Sequence, residues 1–204
     1  MPANRKHVQI CGGIASGKTT LATVLSNSGV HATYEKFSAN PFYKAFYRNP
    51  LDNAFETEIT FLLQHFHAIK DALEEGKSFC SDFSFVLDLA YADLTLTDRH
   101  RKVFMAVYRE VRRIVAPPDL LVHLKCDPVE ELRRIHRRRR APEKSITTEY
   151  LTALNTALAM RVKRQSTNTK VVEIDSGQID FAHDISRQKK VLALIQRRLS
   201  TSDR

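Results

Sequence analysis

The sequence has little cysteine, glycine or proline and no long apolar run. Its three cysteines, Cys11, Cys80 and Cys126, are an odd set, each in or at the end of a strand-like apolar run rather than at disulfide or zinc spacing. They read as buried thiols of a reducing compartment. Glycine and proline are scarce enough to act as punctuation, at Gly29, Asn40-Pro41, Gly76 and Pro117-Pro118, and neither a repeat nor a low-complexity linker is visible. No stretch approaches the ~18 apolar residues of a membrane span, and "MPANRKHVQI" lacks an apolar signal core, so a cytoplasmic soluble protein is expected. Acidic residues are outnumbered, 23 against 32 basic, which leaves a formal charge of +9. Anions are therefore expected partners, although the sign alone does not separate nucleic acid from nucleotides or phosphorylated small molecules.

What is present alternates. Short β-type runs, "HVQIC", "VHATYEK", "SFCSDFS", "DLLVHLKCD" and "KVVEID", are separated by helical patterns. Helices are predicted over residues 19–28, from Pro50 to Gly76, over 98–115, from Pro128, over 147–162 and over 182–199. The second carries apolar residues at 55, 59, 62, 66, 69 and 73, one face of a long amphipathic helix. This order predicts an α/β fold in which a five-stranded parallel sheet has helices on both faces, a single domain over residues 1–204.

"GGIASGKT" fits G-x-x-x-x-G-K-[ST], with Gly12, Gly17, Lys18 and Thr19, and it stands between a strand and a helix as its mechanism requires. The stretch from Gly12 through Gly13, Ile14, Ala15 and Ser16 to Thr20 turns backbone N–H groups toward phosphates. Lys18 neutralises β and γ oxygens and Thr19 is a candidate ligand for Mg²⁺. A nucleoside triphosphate such as ATP is the expected occupant. The motif does not distinguish kinases from GTPases or transport ATPases.

"RRIHRRRRAPEK" follows the fourth strand, where a small P-loop kinase carries an arginine-rich lid, here about residues 133–146. Phosphoryl transfer spreads charge over equatorial oxygens, which guanidinium groups stabilise. The same run also reads as a solvated basic helix end or a nucleic-acid patch, the latter the weaker reading given its place after the strand.

The chain resembles the deoxynucleoside kinase family over residues 7–155, with a weaker echo in "VVEIDSGQIDF". The P-loop, "YEKFSANPFYKAFYRNP", "AFETEITFLLQHF", "SDFSFVLDLAYADLTL", "PDLLVHLKCDP" and "RIHRRRRAPEKSITTEYL" come in the family's order. The resemblance implies phosphorylation of a deoxynucleoside 5′-hydroxyl. It matches Glu35 to the general base, with an exposed strand-end glutamate as the alternative. It matches Tyr47 and Glu143 to the pair that binds the sugar 3′-hydroxyl, Arg138 and Arg140 to the lid arginines, and Arg134 to an earlier one that meets the nucleotide. Asp82, at the end of the third strand, is implied as a metal ligand alongside Thr19 and as a substrate-binding residue. Phe55 and Phe85 are base-packing candidates or ordinary core. His65, near where relatives place an arginine beside the base, reads as a packed or capped side chain or as a recognition residue. Relatives are often dimers through the helices here at about 53–73 and 98–115, so a homodimer is implied as well.

Two positions depart from the family's pattern. Phe83 stands where an arginine touches the phosphates, which leaves Arg137 or Arg139 to supply that charge. Glu58 stands where a glutamine reads the nucleobase. An ionised glutamate offers acceptors only, which matches the adjacent N1–H and amino donors of guanine, so deoxyguanosine is the expected substrate.

Overall fold

In a computed structural model of the chain, residues 5–201 are described. The strands β1 (His7–Gly12), β2 (His31–Thr33), β3 (Phe79–Ser81), β4 (Leu120–Lys125) and β5 (Val171–Asp175) form one parallel sheet in the order β2-β3-β1-β4-β5. β1 is flanked by β3 and β4, so the chain leaves it toward one edge and later returns to the other. A crevice opens at the carboxyl end of β1, where parallel sheets of this kind bind ligands.

Alternation along the central strands divides the core between the two faces. Val8, Ile10, Leu120 and Val122 pack with Leu21 and Leu25 of α1 (Lys18–Asn27) and Val191 and Ile195 of α8 (Ile185–Ser200). Cys11 and Leu121 face the other way, against Leu87 and Ala90 of α4 (Phe85–Thr95) and Leu151 and Leu154 of α7 (Thr148–Gln165). A third cluster joins Leu62 and Ile69 of α3 (Pro50–Glu74) to Phe79, Leu89 and Phe104, the last on α5 (Asp98–Ile114). The basic run forms α6 (Pro128–Arg138) and a short 3-10 turn, Ala141–Ser145.

Two helices escape the periodicity argument. α2 (Tyr43–Arg48) is under two turns long. α4 is buried along almost its whole circumference, including Asp88, so it has no polar stripe to produce a 3.6-residue period. The second strand is shorter than expected, which puts Glu35 in the loop beyond β2 rather than at a strand end. Cys11 and Cys80 are buried free thiols, whereas Cys126 is only half-buried, a departure from the expected set of three buried ones. Among the described residues no helix is long and apolar enough to cross a membrane.

Candidate active site

The P-loop wraps the amino end of α1, whose first turn has neither a side-chain cap nor an acidic residue. Its unpaired amides and positive dipole end are left for an anion. Gly17 adopts φ 102°, and a side chain there would press on the Phe181 ring. Gly13 lies so close to Glu131 and Asn155 that any Cβ would collide with their polar ends. Lys18 Nζ donates to the carbonyls of Gly12 and Gly13 at 3.0 and 2.9 Å. Gly12, Gly13 and Ser16 therefore lie beneath the loop surface and shape it, while Ile14, Ala15, Gly17, Thr19 and Thr20 line a cavity of about 740 Å³. Below the loop, burial pushes the Glu131 carboxyl up to about 7 against a hydrogen bond from Asn155.

Asp82 ties the phosphate end to the middle of the cavity. Its carboxylate accepts from Thr19 Oγ1 at 2.7 Å and from the Glu35 backbone N–H at 2.6 Å. Burial raises its pKa, and these two hydrogen bonds oppose the rise. Thr19 and Asp82 thus present hard oxygen donors side by side, the donor set Mg²⁺ accepts when phosphates and water complete its shell.

Glu35, Thr57, Glu58 and Phe61 line the same cavity. Glu58 is buried, and its carboxyl is held well above the usual range by burial first and by the Asp88 carboxylate second. The simple ionised glutamate expected from sequence is thereby displaced toward the neutral acid. Tyr47 and Glu143 also line the cavity, with the Glu143 turn joined to α2 by a hydrogen bond from Ser145 Oγ to the Tyr47 carbonyl at 3.1 Å. Burial raises the Tyr47 phenol well above its ordinary value.

The arginines of the basic run divide. Arg137, Arg138 and Arg140 line the cavity, while Arg139 takes the left-handed conformation that ends α6 (φ 53°) and does not. Arg138 donates to both Glu143 oxygens at 2.7 and 2.6 Å. Arg134 reaches across the P-loop to the carbonyls of Ala15 and Ser176 at 3.4 and 2.7 Å.

For Phe55, Phe85 and His65 the structure favours the packed alternative over a contact with the nucleoside. Phe55 stacks on His100 of α5 at 4.5 Å, because α5 covers that face of α3, and it does not line the cavity. Phe85 is 2% exposed within the third core cluster, edge-on to Tyr108. His65 is buried beneath the cavity wall, between Asp88 and Glu35, and does not line it. Other lining residues were not anticipated. Phe61 lies one turn beyond Glu58, a spacing that would have revealed it. Asp88 and Tyr91 sit on α4, whose near-complete burial leaves no periodic signal to point them out. Residues 176–183 follow the carboxyl end of β5, a position that general sheet geometry favours for ligands.

A family model described as "Deoxynucleoside kinase" matches residues 8–200. The chain belongs to the deoxynucleoside kinase family. It is 26% identical over 197 residues to the deoxyguanosine kinase of Bacillus subtilis (strain 168), covering 93% of this chain and 95% of that protein. It is 29% identical over 157 residues to the deoxyadenosine kinase of Dictyostelium discoideum, covering 74% and 64% of the respective chains. The fold matches a solved structure of deoxyadenosine kinase from M. mycoides with products dCMP and a flexible dCDP bound, at TM-score 0.81 and 18% identity, over 94% of this chain and 98% of that one. As a deoxynucleoside kinase the chain is a phosphotransferase, and its five-stranded α/β sheet is the family's P-loop fold.

Proposed function

We propose that the chain transfers the γ-phosphoryl group of ATP to the 5′-hydroxyl of a deoxynucleoside, deoxyguanosine foremost. One observation carries the reading: the P-loop, Glu35 and Glu58 line a single cavity, and Glu35 is tied through its backbone N–H to the Asp82 carboxylate that also holds Thr19. Phosphates at the α1 terminus and a nucleobase at Glu58 would bring a 5′-hydroxyl to Glu35.

In this reading Lys18 and the P-loop amides hold the β- and γ-phosphates, and Arg134 the nucleotide beside them. Thr19 and Asp82 would hold Mg²⁺, which when bound neutralises phosphate charge. Glu35 accepts the proton of the 5′-hydroxyl as that oxygen attacks phosphorus, and ADP departs. Arg138 and Arg140 stabilise charge on the transferring group. Tyr47 and Glu143 bind the 3′-hydroxyl, and Glu58 reads the base. Ionised, Glu58 accepts from guanine N1–H and N2–H together. Protonated, it offers one donor and one acceptor, the complement of adenine N1 and N6–H. The named activities of the Bacillus subtilis and Dictyostelium discoideum relatives support this purine range. A homodimer through α3 and α5 belongs to the same reading.

The test is a panel of deoxynucleosides and ribonucleosides with MgATP, with the monophosphate product identified. The 5′-monophosphate should form fastest from deoxyguanosine. Absence of any nucleoside monophosphate would overturn the reading.

A further inference from the structure

Phe83 leaves the cavity without the cation expected at its position, and a buried cation lies directly against its ring. Phe83 is 1% exposed and packs among the side chains of α3, α4 and α5, so nothing of it reaches a phosphate. The His65 ring stacks on Phe83 at 4.2 Å with an interplanar angle of 9°. His65 Nδ1 lies 3.0 Å from both oxygens of Asp88. His65 Nε2 lies 3.3 Å from Glu35 Oε1, an ion-pair contact not aligned as a hydrogen bond.

The imidazole is thus fixed on three sides, by an aromatic face, by a carboxylate at one nitrogen and by its seat on α3, and its remaining nitrogen meets Glu35. Burial lowers the pKa of this ring, but the paired carboxylates outweigh it and hold the imidazolium up to about 10. Glu35 otherwise stands among acids: Glu58 from α3, Asp82 beyond β3 and Asp88 from α4. Lys18 approaches from the P-loop side, where phosphates claim it. Glu35 itself sits in the loop beyond β2 with its side chain 13% exposed, and its carboxylate meets the imidazole at Oε1.

We propose that His65 is a positioning residue for the general base, fixing the Glu35 carboxylate from beneath while Phe83 and Asp88 fix His65. Phe83 then acts as the platform of a cation rather than as a lost one. His65 touches no reacting atom and keeps both its protons. The proposal rests on the reading of Glu35 as the base.

Amide replacements separate this role from a purely structural ion pair. Asparagine places an amide where Nδ1 sits and keeps the Asp88 contact only. Glutamine places one where Nε2 sits and keeps the Glu35 contact. With deoxyguanosine and MgATP, His65→Asn is expected to lower kcat on the order of 10- to 100-fold, the cost of a misplaced group, with nucleoside KM within about threefold of parental. His65→Gln is expected to recover most of that loss. Placed in Glu35→Gln, where no base remains to position, His65→Asn is expected to cost less than about twofold further.

Parental kcat in His65→Asn would overturn the proposal, as would equal losses in the two amides or an undiminished loss in the Glu35→Gln background. Should His65→Asn fail to fold, as judged by circular dichroism, Phe83→Leu carries the same test: a several-fold lower kcat that vanishes in Glu35→Gln supports the platform role, and parental kcat overturns it. If Glu35→Gln alone keeps parental kcat, the base assignment falls and the positioning role with it. A low Glu35→Gln rate with a parental His65→Asn rate removes the positioning role alone.

Discussion

Under the proposed function, base choice turns on Glu58. Asp88 from α4 and Glu35 beyond β2 hold its carboxyl up, His65 from the next turns of α3 pulls it down, and Tyr91 and Tyr150 approach from α4 and α7. Its pKa is raised, so the neutral acid persists above the ordinary carboxylate range and the anion forms only as pH rises further. The ratio of kcat/KM for deoxyguanosine over deoxyadenosine should therefore increase with pH. Glu58→Gln should flatten that dependence and shift preference toward deoxyadenosine; a ratio independent of pH in the parent would remove Glu58 from base reading. Residue identities at the phosphate end were legible because Gly12 to Thr19 have a fixed order tied to a backbone path. Phe55 and Phe85 misled because an aromatic at the right distance along a helix belongs to whichever neighbour covers its face, and the position of α5 is a tertiary fact.

At the scale of elements, α4 depends on its start. Ser84 Oγ accepts from Leu87 N–H at 3.2 Å, in a fully buried site where water cannot replace it. Ser84→Ala should cost about 1 kcal/mol, the usual worth of an N-cap, read as a lower denaturant midpoint with an unchanged m-value. α4 was also the element least legible in the sequence, since a helix apolar all round has no period, whereas α3 and α5, each with one wet face, were outlined closely. The basic run from α6 to the 3-10 turn is the other element with a direct test. Arg138 is held by Glu143 and both Arg138 and Arg140 line the cavity, so under the proposed function replacing both with alanine should depress phosphoryl transfer strongly and change nucleic-acid affinity little. Full kinase activity with lost, salt-dependent DNA or RNA binding would instead assign the run to a polynucleotide.

Across the whole molecule, strand alternation between helical segments predicted the parallel sheet, because a strand buried on both faces reads as a continuous apolar run, as in "LLVHL". Strand order, the crevice at β1 and the approach of Glu35 to Asp82 and His65 were not legible, because they depend on contacts between residues far apart in sequence, such as His7 with Phe79, Val8 with Leu120 and Glu35 with Asp82. One cavity joins the amino end of α1, the Glu35 carboxylate and the buried Glu58, and in the proposed reaction Glu35 takes the substrate's proton. The kcat of Glu35→Gln with deoxyguanosine and MgATP, measured beside the nucleoside KM, tests that claim most directly. A fall on the order of 10² to 10⁴ in kcat with KM within about threefold is predicted, whereas a kcat within about threefold of parental would contradict it.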